Sequence, residues 1–86
     1  MSNRRSILAG DLNATPETIE IALIDQAGFG DLAGSAGPTT IGDDPPKRID
    51  YICGVGVFAS SAHTLNAPNA SDHRALVVNV MRQNAP

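Results

Sequence analysis

Tryptophan is absent, two Phe and one Tyr are the whole aromatic content, and Cys53 is the single cysteine. Each shortage excludes something. One cysteine allows neither an intramolecular disulfide nor a cysteine-based zinc site. Three aromatic rings cannot make an extended base-stacking platform. Basic residues number six against nine acids, for a formal net charge of −3, and they are scattered. The basic stripe of a protein that grips nucleic acid through its backbone is therefore missing. Long apolar runs are missing too: no stretch approaches membrane-spanning length. After Arg4-Arg5, the run Ile7-Leu8-Ala9 is too short for the apolar region of an export signal and stops at Gly10-Asp11. The expected compartment is the cytoplasm.

What is present suits one small domain over residues 1–86, with apolar residues at 42%. Its core has to come from Ile, Leu, Val and Ala, which bury less area per residue than aromatics. Cys53, in an apolar strand pattern, reads as a buried structural thiol.

The chain turns on Gly10-Asp11-Leu12-Asn13, entered from a short apolar strand over Ser6 to Ala9 that reads as buried on both faces. In extended chain Asp11 and Asn13 face the same side, a carboxylate beside an amide donor, which suits orienting a water next to a phosphate or carbonyl oxygen. An Asx turn accounts for the same residues without chemistry. Thr15 as N-cap, Pro16 at the first helical position and Glu17 in the first turn predict a helix. Its stripe of Ile19, Ala22 and Leu23 is expected to lie on a sheet face as core, and Gly28 ends it. Phe29 to Pro46 reads as a long loop rich in Gly, Ser, Pro and Asp. Asp43-Asp44 within it, and Lys47-Arg48 after it, read as solvated surface charge before cation or phosphate contacts.

Lys47 to Ser60 is the strongest strand pattern, with Tyr51, Cys53 and Val55 on one side and Asp50 and Ile52 on the other. Gly54 and Gly56 suggest a bulge or bend dividing two strands. Asp50 in such a strand costs several kcal/mol unless paired, so it requires a partner. Ser61 to Ala70 reads as loop with a surface His63. Ser71-Asp72-His73 then precedes Ala75 to Val80, which reads as a buried strand, and Met81 to Pro86 is a polar tail. His73 is the natural partner for Asp50: a carboxylate on one ring nitrogen fixes the tautomer, favours the protonated ring and aims the other nitrogen outward.

Gly10-Asp11-Leu12-Asn13, Arg48-Ile49-Asp50-Tyr51-Ile52 and Ser71-Asp72-His73, in that order, resemble the three motifs of the endonuclease/exonuclease/phosphatase family of metal-dependent phosphoesterases. The resemblance runs over most of the chain. It implies catalytic roles for Asp11, Asn13, Asp50 and His73. Asp11 would hold or deprotonate the attacking water and Asn13 would hydrogen-bond the phosphoryl group. Asp50 would orient His73, the catalytic histidine, and Asp72 and Asp11 would bind Mg²⁺ or Mn²⁺, weakly. The substrate class implied is a phosphate ester, nucleic acid or small molecule.

The fold implied is α/β, a partial DNase I-like sandwich with one mixed or antiparallel sheet and one main helix. The family's N-terminal half carries an early Asn and a metal-binding Glu, and Glu17 and Glu20 match neither position. The resemblance thus implies the C-terminal half of the domain. A sheet of that kind presents a large apolar face, so a homo-oligomer, or a partner supplying the other half, is expected. The alternative is a non-catalytic truncated domain, or a phosphate- or nucleotide-binding module built on Asn13, His73 and Lys47 or Arg48.

Overall fold

A computed structural model describes residues 5–65 and 71–83. The start of the polar leader, the second half of the Ser61–Ala70 segment and the end of the tail lie outside them. The described residues form an α/β arrangement of β1 (Ser6–Asp11), α1 (Ile19–Gln26), β2 (Gly30–Asp31), β3 (Asp50–Val55), β4 (Val57–Leu65) and β5 (Ala75–Arg82). The expectation of a single sheet is corrected. There are two antiparallel sheets, a three-stranded β1-β3-β2 and a hairpin β4-β5. The reason lies at Gly56. It takes φ of 72°, a left-handed backbone that glycine enters at no steric cost, and this ends β3 and turns the chain into β4. The division into two strands read from Gly54 and Gly56 is thus observed.

The register of β1 against β3 pairs Ile7 with Gly54, Ala9 with Ile52 and Asp11 with Asp50. Directly opposed residues share a face, so Ile7, Ala9, Ile52, Asp11 and Asp50 stand on one side, and Leu8, Tyr51 and Cys53 on the other. The second side carries the core. Tyr51 and Cys53 are buried there with Ala14 and Ala33, and buried Thr39 and Thr40 lie beside them. Tyr51 donates its hydroxyl to the Ala14 carbonyl at 2.7 Å, which closes the chain after β1 over the sheet. Arg48 lies over the Tyr51 ring, 4.9 Å from its centre, and its guanidinium bonds Asp31. That pairing explains why Arg48 is not a freely solvated charge.

Other expectations change. The helix begins at Ile19, with Thr18 and not Thr15 as N-cap. Thr15 spends its hydroxyl on the Glu17 carboxylate, and its carbonyl accepts both the backbone N–H and the hydroxyl of Thr18, which makes residues 15–18 a turn. No residue of α1 is buried: Ile19 is 71% exposed and Leu23 58%. A cavity of about 270 Å³ separates Ile21, Ala22 and Ile24 from Cys53, so the helix rests loosely on the sheet and its stripe is not core. β1 and β5 are likewise open to solvent on much of their surface, not buried. The predicted loop after Gly28 contains β2, paired with β3. β4 runs through Ser61–Leu65, with an irregularity in the ladder between Ala59 and Ser61. His63 is exposed, as read. Among the described residues, no helix is long and apolar enough to cross a membrane.

Candidate active site

Two carboxylates meet because the β1–β3 register sets Asp11 opposite Asp50. Like charges so placed repel unless a cation or hydrogen-bond donor lies between them. His73 supplies the donor. Its Nδ1 is 2.7 Å from Oδ2 of Asp50, and its Nε2 is 3.9 Å from Oδ2 of Asp11 and 3.9 Å from Oδ1 of Asp72. The partner that Asp50 required is therefore His73. The hydrogen bond to Asp50 raises the His73 pKa above its ordinary value, against desolvation, and the nearby Asp50, Asp72 and Asp11 charges add to the rise.

The segment that delivers His73 is held by Thr39 to Ile41, a stretch inside the predicted loop. Thr40 bridges His73 across a short antiparallel contact, Ile41 donates its N–H to the Asp72 carbonyl at 2.8 Å, and the Arg74 N–H goes to the Thr39 carbonyl at 2.7 Å. On its other side the stretch grips the start of β3. Thr39 and Thr40 both donate backbone N–H groups to the Lys47 carbonyl, and the Thr39 hydroxyl accepts the N–H groups of Ile49 and Asp50 at 3.1 and 3.2 Å. Thr39 is wholly buried and Thr40 nearly so. These two threonines are the clamp that sets Asp50 beside His73. The signal available was a pair of β-branched residues inside a Gly- and Pro-rich loop, where strand-like pairing is the least expected use.

Ser71 completes the motif in a local way: its hydroxyl accepts the His73 N–H at 3.0 Å and fixes the turn. Asn13 sits differently from Asp11. It takes φ of 50° and donates its backbone N–H to Oδ1 of Asp11 at 2.8 Å, the Asx turn that was one of its two readings. It lines a separate cleft of about 640 Å³ with Glu17, Lys47 and Arg48. Asp11 and Asp50, by contrast, border a smaller cavity of about 240 Å³ with Ala9, Ile52, Arg74 and Leu76. One ligand atom from each of Asp11, Asp50 and His73 lies within 4.8 Å of the others. Asp72 is 87% exposed in its side chain and stands at the rim of this trio.

The donor set fits a hard divalent cation in part. Two carboxylates supply oxygen, and Nδ1 of the imidazole is already committed to Asp50, which leaves Nε2 facing the open side.

The sequence model of the Endonuclease/Exonuclease/phosphatase family matches residues 1–73, a span that ends on His73 and takes in Asp11, Asp50 and Asp72. No curated protein and no solved structure matches the chain. The chain belongs to the endonuclease/exonuclease/phosphatase family.

Proposed function

We propose that, within this family, the chain carries a divalent-metal-dependent phosphoesterase site that hydrolyses phosphate monoesters or diesters. The observation that carries the reading is the Asp50–His73 pair at 2.7 Å with Asp11 on the far side of the ring. A histidine whose protonated form is favoured presents an N–H from Nε2. It can donate to a non-bridging phosphate oxygen and stabilise the charge that builds there in the transition state. Asp11, across the ring, would accept a proton from an attacking water, and its other oxygen accepts the Asn13 backbone N–H. Asp50 holds the imidazole in one tautomer.

A cation bound by the Asp11 and Asp50 carboxylates, with Asp72 within reach of the rim, would neutralise phosphate charge and lower the pKa of a bound water. Asn13 lines the separate cleft, and its amide would meet only a substrate that reaches into it. Arg48 is tied to Asp31, so among the described residues that line the cleft the cation free to meet a phosphate is Lys47.

The test is turnover of bis(p-nitrophenyl) phosphate and p-nitrophenyl phosphate with Mn²⁺ or Mg²⁺, before and after chelation. Metal-dependent release of nitrophenolate that falls about 10²- to 10⁴-fold in His73→Ala is the expected result. Phosphate binding without turnover, or a His73→Ala rate equal to wild type, overturns the proposal.

A further inference from the structure

Arg74 follows His73 in the chain and stands outside the three motifs. Its backbone N–H goes to the Thr39 carbonyl at 2.7 Å, so the threonine clamp that sets His73 sets Arg74 as well. Arg74 is half-buried and borders the cavity of about 240 Å³ that Asp11 and Asp50 also border. Among the described residues around that cavity it is the single cation.

The fold uses Arg48 and Arg74 in opposite ways. Arg48 is closed into an ion pair with Asp31. Arg74 shares its cavity with two carboxylates, yet among the described residues it forms an ion pair with neither. Its guanidinium meets one acceptor there, the Pro38 carbonyl, to which Nη1 donates at 3.3 Å. A guanidinium carries five N–H donors, so most of them are unused. The sealed side-chain donor without a partner among the described residues is Nε of Arg48, which means that the unused donors of Arg74 are open to solvent.

A guanidinium beside carboxylates ordinarily closes onto them, because the paired fork is the strong form of that contact. Here the acids are engaged elsewhere, Asp50 by Nδ1 of His73 and Asp11 by the Asn13 N–H, and the Pro38 carbonyl holds Arg74. Acid and open guanidinium thus border one cavity without touching. A cation on the acids together with an anion on the guanidinium is the charge pattern that fills it.

We propose that Arg74 is a substrate-binding residue whose free N–H donors hold two oxygens of the phosphoryl group, a role that rests on the phosphoesterase reading. Two parallel N–H groups match two phosphate oxygens, which the single ammonium of a lysine cannot do. The site therefore calls for arginine and not merely for positive charge.

Titration calorimetry of inorganic phosphate into the full chain, with Mg²⁺ present, tests this apart from turnover. Arg74→Gln removes the charge and keeps an amide donor for the Pro38 carbonyl. It is expected to weaken phosphate binding roughly 10- to 100-fold. Arg74→Lys keeps the charge without the fork and is expected to fall between Arg74→Gln and wild type. Arg82→Gln removes a cation from the exposed far end of β5 and is expected to bind phosphate as wild type does. A wild-type chain that binds no phosphate overturns the proposal. So does an unchanged affinity in Arg74→Gln, an equal loss in Arg82→Gln, or a loss confined to Lys47→Gln, which moves the phosphate to the other cleft. If Arg74→Gln fails to fold, Arg74→Lys decides, and an affinity equal to wild type overturns the fork. Arg74-dependent phosphate binding in a chain without turnover supports the anion site and sinks the catalytic reading alone. Turnover of p-nitrophenyl phosphate with the same KM and the same phosphate inhibition in Arg74→Gln does the reverse.

Discussion

Replacing Thr39 with valine keeps the side chain's shape and removes one oxygen, and that oxygen serves two backbone donors. In the wild type it accepts from the N–H of Ile49 at 3.1 Å and of Asp50 at 3.2 Å, in a position with no solvent exposure. Valine leaves two N–H groups facing a methyl group. Each buried unsatisfied donor costs about 1–3 kcal/mol, and two contacts at the long end of the hydrogen-bond range put the loss at about 2 kcal/mol. For a domain of this size, that lowers Tm by about 8–16 °C. Thr39→Ser is the control: it keeps the oxygen, loses a methyl group, and is expected to cost about 1 kcal/mol. Urea unfolding followed by circular dichroism, at one protein concentration for all three chains, reads the difference. The same variant carries a functional consequence, because the Asp50 N–H is where the clamp meets the site. Thr39→Val is expected to lose turnover through a looser Asp50–His73 pair, and Thr39→Ser to retain it. A Thr39→Val protein no less stable than Thr39→Ser would refute the clamp.

Three further outcomes follow from the same contacts. Because its hydrogen bond to Asp50 raises the His73 pKa, activity that needs the imidazolium should fall only above the ordinary histidine range. Asp50→Asn should move that descending limb to lower pH, and an unmoved limb would show that the pair does not set the profile. The stability linked to His73 has the same sign: it is fully present below the unfolded pKa of about 6.5 and is lost as pH rises through the raised folded value. Tyr51→Phe removes the donor to the Ala14 carbonyl in a buried position and should cost about 1–2 kcal/mol in urea midpoints, with a null effect arguing that water replaces the hydroxyl. Gly54→Ala sets a methyl carbon into Cγ2 of Val57 and 3.0 Å from Cδ1 of Leu32, so it should destabilise by about 1–3 kcal/mol unless both side chains turn away. A Tm equal to wild type would show that they do.

Residues with a strong local rule were legible before the fold. The Gly54–Gly56 break, the alternation that buries Tyr51 and Cys53, and the need of Asp50 for a partner each follow from properties of a few neighbours: φ freedom, a period of two, and the cost of a charge among apolar side chains. The three motifs carried the family. Burial was another matter. Ile19, Leu23, Ile7 and Val80 have the apolarity of core residues, yet they lie exposed, because what an apolar side chain meets depends on which elements come to cover it. The helix start was misplaced for a related reason: Thr15 had two partners in reach and took the Glu17 carboxylate over a backbone N–H.

By itself the sequence determined which groups could do chemistry and in what order they occur. Only the tertiary structure decided that Asp11 faces Asp50, since register is a property of two strands. Only the fold could bring Thr39 and Thr40 between Lys47 and His73 to clamp the pair. A side chain's identity is local, but its partner is chosen by long-range pairing, and here that pairing assembles a site from three segments far apart in the chain.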